Sequence, residues 1–309
     1  MMSPILRHSH QTQLNAPSSI HRLNNNPNSY VTQNMNKYSG KKIMNIFDSH
    51  GSFNTDDFKN FFSQVSRMTI NQRSNQNQLS TNSYVAQAYS HKILASELHS
   101  LVEGDWLCDT VINFIGAIIQ RKSPNSYVYS THFMSTLCKD VSNQSYDYTR
   151  VARWRKSLHD DLEFLYIPIH VNMNHWILSR LDFSKKTIFL WNSSSTSDSS
   201  TSLNKKYLYA LKFYISQVVK SLSAKSRRSE RKFKRWLGNW TMCDKSIESP
   251  QQGNYDDCGI FTILNMVLLS AGVSLNENSY SQFEINCHKT RTRMPKSFLR
   301  ILNRMNLKT

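Results

Sequence analysis

Apolar residues recur at intervals of three and four in three segments of the chain, 111–119, 207–222 and 260–268. Because an α-helix has 3.6 residues per turn, this spacing places the apolar side chains on one face and predicts a helix in each segment. The third segment begins directly after Cys258, which puts that cysteine at the N-terminal end of a buried helix.

Three short segments between the first two helices have the composition of β-strands. They are 165–170, His175–Asp182 and Thr187–Trp191, which are rich in β-branched and aromatic residues and are bounded by polar residues such as Asn174 and Ser184. Since polar turns of only a few residues separate them, we expect neighbouring strands of one sheet.

The first part of the chain shows neither sustained helical spacing nor sustained strand alternation of apolar residues. Residues 1–93 are rich in Asn, Gln and Ser, which predicts a mostly disordered arm. An apolar island within it, at 43–62, is compatible with local folding or with docking on a partner. Tryptophans and apolar runs begin near Leu94, so we expect a domain boundary there and one domain over 94–309.

Positive charge is in large excess, with 38 Lys and Arg against 21 Asp and Glu and a formal net charge of +17. This balance favours acidic partners. The segment from Lys225 to Trp236 (KSRRSERKFKRW) concentrates the excess. It is compatible with a solvated face, or with binding to nucleic acid, to an acidic protein surface or to an import receptor.

No apolar run approaches the roughly 20 residues that a membrane-spanning helix needs, and the N-terminal residues lack the apolar core of a signal peptide. The five cysteines are Cys108, Cys138, Cys243, Cys258 and Cys287, and no two of them form a CxxC pair. We therefore expect an intracellular protein of the nucleus or cytoplasm, with no disulfide scaffold, no metal site and no membrane anchor.

Cys258 has the sequence environment of a reactive thiol. A free thiol has a pKa of about 8.5, which a helix N-terminus and a neighbouring imidazole lower to between roughly 3.5 and 7.5. Six residues upstream, Gln252 carries an amide that can donate to an oxyanion if its loop folds back over the thiol. Gly259 follows the cysteine, and we expect its missing Cβ to leave room for a substrate.

Five blocks of the sequence carry a resemblance to a known family. They are WLCDTVINF from Trp106, VARW from Val151, IPIHVNMNHW from Ile167, LDFSKKTIFLWNS from Leu181 and QQGNYDDCGIF from Gln251. In this order they resemble the blocks of the ubiquitin-like-protein proteases, the SUMO-specific cysteine proteases of the Ulp and SENP type, which are distantly similar to the adenoviral protease. The resemblance covers roughly residues 100–305.

The resemblance implies an α+β, papain-like cysteine protease fold with a central mixed sheet flanked by helices. It implies that Cys258 is the nucleophile, His175 the general base and acid, and Gln252 the oxyanion donor. The implied reaction is hydrolysis of a peptide or isopeptide bond after the Gly-Gly end of SUMO or another ubiquitin-like modifier, by a monomer that needs no cofactor.

Two positions depart from the family. Asn192 stands where the family has the carboxylate that orients the histidine, and Cys108 replaces an asparagine. An amide can accept the Nδ1 proton of the imidazole but does not stabilise the imidazolium by charge, so we expect reduced activity. Asp198, in the serine-rich tract, is an alternative carboxylate.

The family likeness also suggests substrate contacts. Trp106 and Trp176 correspond to a pair of rings that clamp the diglycine tail, where only a backbone without side chains fits. Arg153 corresponds to a position on the surface that holds the modifier. Asp257, directly before Cys258, is a candidate to bind backbone amides or a group of the substrate. His170 competes with His175 as the catalytic histidine, but we expect it to be structural.

Three other functions stay open. The loss of the carboxylate at Asn192 is compatible with a pseudoprotease that only binds a modifier. A Cys-His pair of this clan is also compatible with acetyl transfer, and the charge alone with nucleic-acid binding.

Overall fold

The structure is a computed structural model that describes residues 84–88, 91–94, 97, 100, 106–159, 161–194, 198–223 and 236–280. The strands are β1 Tyr84–Ala88, β2 His91–Leu94, β3 Ser126–Val128, β4 Cys138–Asp140, β5 Ser145–Tyr146, β6 Phe164–Val171, β7 His175–Asp182, β8 Thr187–Trp191 and β9 Thr241–Asp244. The helices are α1 Asp109–Lys122, α2 His132–Leu137, α3 Tyr148–Val151, α4 Asp198–Ser223 and α5 Cys258–Ser270, and a 3₁₀ turn covers Trp154–Ser157. The predicted arm up to residue 83, its island at 43–62 and the basic residues 225–235 lie outside the described residues.

Among the described residues, five strands form the central sheet, in the order β3-β6-β7-β8-β9. The outer pairs, β3 with β6 and β8 with β9, run parallel, whereas β6, β7 and β8 are antiparallel neighbours. β7 and β8 have the predicted bounds, and β6 is one residue longer than predicted at each end. The sequence does not predict β3 and β9, because three or four residues are too few to establish a period.

Side chains of β7 alternate between two hydrophobic clusters, as the two-residue period of a strand requires. Trp176 and Leu178 join a first cluster with α1 and α5, whereas Ile177 and Leu181 join a second cluster with α4. The sheet therefore lies between two layers of helices, which confirms the predicted α+β fold with a mixed central sheet. α1, α4 and α5 are the three helices that the apolar spacing predicts.

The turn between β6 and β7 brings His175 to the first position of β7. Its central residues, Asn172 and Met173, have φ angles of 49° and 62°. The N–H of Asn174 donates to the carbonyl of Val171 at 3.1 Å. Positive φ at both central residues is typical of tight turns whose twist matches an antiparallel pair. This turn fixes the register in which Val171 pairs with His175.

The margins of the described region add three observations. β1 and β2 form a hairpin whose Ile93 packs into the first cluster, and the domain boundary near Leu94 stays a prediction. Trp236, the last residue of the basic segment, is buried against Phe183 in the second cluster. Within the described part of the chain, no helix is both long enough and apolar enough to cross a membrane.

Candidate active site

Cys258 is the first residue of α5 and is only 2% exposed. Burial raises the pKa of its thiol, whereas hydrogen bonds from the backbone N–H groups of Trp176, Gly259 and Cys258 itself lower it, and the charge of Asp257 raises it again. Because Trp176 follows His175 directly in β7, its contact with the sulfur brings the thiol to the start of that strand.

His175 is held by Asn192. The imidazole Nε2 lies 2.8 Å from the Asn192 side-chain oxygen Oδ1, which can only accept, so Nε2 carries the hydrogen. The expectation that the amide accepts from Nδ1 is therefore wrong, and Nδ1 is the nitrogen left with a free lone pair. Burial lowers the pKa of His175, and the bond to Asn192 offsets part of this effect.

Asn192 lies directly after β8 and is 4% exposed. Its Oδ1 also accepts the backbone N–H of Ser194 at 2.9 Å. Its Nδ2 donates to the side-chain oxygen of Asn204 at 3.0 Å. The amide thus presents oxygen to the imidazole and nitrogen to α4.

Asn204, Asp244 and Ser246 form a polar cluster behind Asn192 that the sequence interpretation did not identify. Asn204 Nδ2 donates to Asp244 Oδ2 at 3.0 Å and to Ser246 Oγ at 3.2 Å. One sequence signal could have found Asn204, because it lies three and four residues before Tyr207 and Leu208, on the apolar stripe of α4. A polar residue on a buried stripe needs partners.

Gln252 is tied to the residue that follows Asn192. Its backbone N–H donates to the Ser193 carbonyl at 2.7 Å, and its Oε1 accepts from Ser193 Oγ at 2.6 Å. The side-chain nitrogen donates one hydrogen to the Asn254 carbonyl at 2.8 Å. A primary amide has two hydrogens, so this contact accounts for one donor of Gln252.

Asp257 lies one residue before α5 and is nearly buried. Its Oδ2 accepts from the side-chain nitrogen of Asn254 at 2.6 Å, and its backbone N–H donates back to Asn254 Oδ1 at 3.2 Å. These bonds hold the loop that precedes Cys258.

The two predicted clamp residues differ in exposure. Trp176 is 4% exposed, donates its indole N–H to the Leu107 carbonyl at 3.0 Å and stacks on His170 with ring centroids 4.1 Å apart. Trp106 is 51% exposed. The carbonyl that anchors Trp176 belongs to the residue after Trp106, so the first block and the start of β7 meet at this point.

Gly259 is required by packing. A Cβ at this position would lie 2.5 Å from the Cβ of Leu107. The expectation that the missing Cβ leaves room for a substrate is therefore wrong, because Leu107 fills that space. The close contact lets the start of α5 approach the block that carries Trp106.

Arg153 and Cys108 lie in different surroundings. Arg153 is exposed and precedes the 3₁₀ turn, while the next residue, Trp154, packs against the rings of Tyr129 and Phe133. Cys108 is half-buried, and burial raises the pKa of its thiol. The described residues contain no group of three or more His, Cys, Asp or Glu that could hold a metal ion.

A family model described as the Ulp1 protease family, C-terminal catalytic domain, matches residues 105–300. Ubiquitin-like-specific protease 1 of Saccharomyces cerevisiae is 27% identical over 188 residues, which are 60% of this chain and 27% of that protein. A putative ubiquitin-like-specific protease 1B of Arabidopsis thaliana is 30% identical over 218 residues, 66% of this chain and 58% of that protein. The chain thus spans about a quarter of the length of the first relative and somewhat under two thirds of the second.

Solved structures share the fold. The C-terminal Ulp1 protease domain in complex with SMT3, the yeast ortholog of SUMO, superposes with a TM-score of 0.54 at 22% identity, covering 84% of this chain and 98% of that one. The Ulp1 SUMO protease with its catalytic cysteine oxidised to a sulfenic acid gives a TM-score of 0.53 at 22% identity, covering 83% and 99%.

Proposed function

The chain belongs to the Ulp1 protease family, and from this premise we propose that it is a cysteine protease acting through Cys258, His175 and Asn192. The proposed substrate is SUMO or another ubiquitin-like modifier, and the bond cleaved is the peptide or isopeptide bond after its Gly-Gly end. The observation that carries the proposal is the 2.8 Å bond between His175 Nε2 and Asn192, with the buried thiol against the N–H of the next residue, Trp176.

The proposed reaction has two halves. Cys258 Sγ attacks the glycine carbonyl while its proton passes to Nδ1 of His175, and the imidazolium then protonates the departing amine. Water attacks the resulting thioester and gives a proton to His175. The C–S bond then breaks, the product leaves as the carboxylate, and the imidazolium returns its proton to Sγ, which restores the thiol. The backbone N–H of Cys258 and the second amide hydrogen of Gln252 are the proposed donors to the oxyanion.

Two features support the choice of substrate. Trp106 is exposed directly before the carbonyl that anchors Trp176, which suits a narrow passage for a tail without side chains. The net charge of +17 suits an acidic modifier. Arg153, which is exposed, and Asp257 remain proposed substrate contacts. The monomeric state, the nuclear or cytoplasmic location and nucleic-acid binding through Lys225 to Trp236 also remain proposals.

The test is a panel of purified modifier precursors incubated with the wild-type protein and with Cys258→Ala. We expect the wild type to trim at least one precursor after Gly-Gly and the variant to trim none. Cys138→Ala is the matched control, because burial raises the pKa of that thiol to about 12 and it should not react. Cleavage by the Cys258→Ala protein would refute the assignment.

A modifier-binding pseudoprotease is the second candidate, because Asn192 replaces a charged residue beside the imidazole. A probe that ends in Gly-Gly with a thiol-reactive group separates the two. It labels Cys258 in an enzyme, whereas a pseudoprotease binds the modifier without becoming labelled.

A further inference from the structure

A continuous chain of side-chain hydrogen bonds leads from the imidazole of His175 to a carboxylate. His175 Nε2 donates to Asn192 Oδ1 at 2.8 Å, Asn192 Nδ2 donates to Asn204 Oδ1 at 3.0 Å, and Asn204 Nδ2 donates to Asp244 Oδ2 at 3.0 Å. Asn192 and Asn204 are 4% and 0% exposed. The bond between the two amides is therefore buried away from water, whereas the bonds to His175 and Asp244 at its two ends are part-buried. Each amide polarises the next in the same direction.

Asp244 gives the chain its direction. Within the described part of the chain, its carboxylate accepts hydrogen bonds from Asn204 Nδ2 and from both the backbone N–H and the hydroxyl of Ser246. This is the pattern that a group with only acceptor oxygens makes. A carboxylate accepts only, so Asn204 must turn its nitrogen toward Asp244 and its oxygen toward Asn192. Asn192 must then turn its own oxygen toward His175.

Ser246 reinforces this arrangement. Its hydroxyl donates to Asp244 and accepts both from the backbone N–H of Asn192 at 3.0 Å and from Asn204 Nδ2 at 3.2 Å. It is fully buried. The end of β8, the second turn of α4 and the end of β9 are thus joined at one point behind the candidate active site.

We propose that Asp244, acting through Asn204 and Asn192, supplies the negative charge that the position of Asn192 lacks and fixes His175 in the tautomer that leaves Nδ1 free. This inference deepens the proposed function and rests on it. Asp244 and Asn204 are positioning residues, since neither touches the sulfur or a substrate.

The sign of the expected effect follows from electrostatics. A negative charge stabilises the imidazolium, so removing it lowers the pKa of His175. Other titratable groups near the site are His170 on β6, Asp109 at the start of α1, and Cys258 and Asp257 at the start of α5. They are unchanged when Asp244 is replaced, so a shift in the titration of His175 reports on Asp244.

Asp244→Asn is the informative variant, because an amide keeps the shape and can still accept from Asn204 while the charge is lost. Nitrogen chemical shifts of the His175 ring, recorded against pH in the substrate-free protein, should show a lower pKa and a mixture of tautomers. For cleavage, kcat should fall about tenfold at nearly constant KM. The acid limb of the pH profile, below which His175 is protonated and cannot accept the thiol proton, should move to lower pH.

Asp182→Asn is the matched control. Like the half-buried Asp244, Asp182 lies at a strand end, and it is itself buried. It accepts from the backbone N–H and hydroxyl of Ser184 in the turn that follows. We expect this variant to lose stability and to keep the ring shifts and pH profile of His175. A folded Asp244→Asn protein whose His175 titrates as it does in the wild type and in Asp182→Asn would overturn the proposal.

Asn192→Asp provides the second arm. This variant has two carboxylates, the one introduced at position 192 beside the imidazole and that of Asp244 behind it. Asn204 Nδ2 can donate a hydrogen bond to only one of them, so Asp244 then competes with the residue at position 192 for this donor. We expect Asp244→Asn to lower kcat in the wild-type background and to leave it unchanged or raise it in the Asn192→Asp background. Equal losses in both backgrounds would show a purely structural role for Asp244.

The two kinds of readout separate this inference from the proposed function. A wild type without protease activity whose His175 titration responds to Asp244→Asn would overturn the function and support the positioning role. An active protease whose His175 titration and pH profile do not change in Asp244→Asn would support the proposed function and overturn the positioning role of Asp244.

Discussion

Gly259 sits where a single methyl group would decide the position of the thiol. Its Cβ would meet the Cβ of Leu107 at 2.5 Å, and both carbons are attached to backbone, so neither can rotate away. Gly259→Ala is expected to cost about 1–3 kcal/mol of stability and to lower kcat by displacing the start of α5. Urea unfolding and cleavage kinetics measure the two effects.

Gly116→Ala is the comparison for this prediction. Its Cβ would meet the end of the Val128 side chain, Cγ1 at 2.8 Å, and alanine is the better helix former within α1. We expect a smaller loss of stability and unchanged kcat. A Gly259→Ala protein as stable and active as Gly116→Ala would contradict the packing argument.

Single residues were easier to identify from the sequence than to orient. A cysteine before an apolar helix and a histidine at a strand start are visible as local patterns. Asn192 accepts a hydrogen bond from Nε2 of His175 and not from Nδ1, because of where β8 ends beside β7. No local sequence pattern shows this. Asp244 lies far along the chain from Asn192, and only the parallel pairing of β8 with β9 brings the two strand ends together.

The β6–β7 turn offers a prediction at the level of an element. Met173 adopts a φ of 62°, a left-handed conformation that is strained for a residue with a Cβ, and its side chain is 80% exposed. Packing of the side chain therefore does little to offset the strain. Met173→Gly is expected to stabilise the protein by about 0.5–1 kcal/mol in urea unfolding.

Asn172→Gly is the control, because asparagine tolerates positive φ and less strain is available to relieve. We expect a gain smaller than that of Met173→Gly. A loss of stability in Met173→Gly would show that the exposed side chain contributes to folding in a way the turn geometry does not explain.

Elements with a sustained period or with a strand-like composition between polar turns could be predicted, and the others could not. β7 and β8 are rich in β-branched and aromatic residues and end at polar turns, and α5 repeats apolar positions throughout. β3, β4, β5 and β9 have two to four residues each. Their pairing comes from neighbouring chain segments, a tertiary effect that outweighs local preference.

The whole protein should lose stability in mild acid. Burial lowers the pKa of His175 and of His170 below 6.5, the value that the unfolded chain retains. Below that pH the unfolded state binds more protons than the folded state, so the free energy of unfolding falls as the pH drops. Urea midpoints measured from about pH 7.5 to about pH 5 should decrease.

His170→Phe tests the origin of this decrease, because phenylalanine keeps a ring to stack on Trp176 and removes one proton-binding site. The slope of stability against pH should become shallower. The pKa of Asp147 is lowered to about 2, so its loss of stabilisation on protonation falls at lower pH than this window. A midpoint that does not change with pH would contradict the prediction.

The chain of bonds behind His175 crosses from the sheet into the opposite layer of helices. Asn204 belongs to α4, whose other face, with Lys205, Tyr209 and Lys212, is open to solvent. A displacement of α4 by about one ångström would break the 3.0 Å contact with Asn192, and errors of that size slow enzymes strongly. If the proposed mechanism holds, the rate of cleavage depends on the position of α4, and we expect a ligand that binds and displaces α4 to slow cleavage without contacting Cys258.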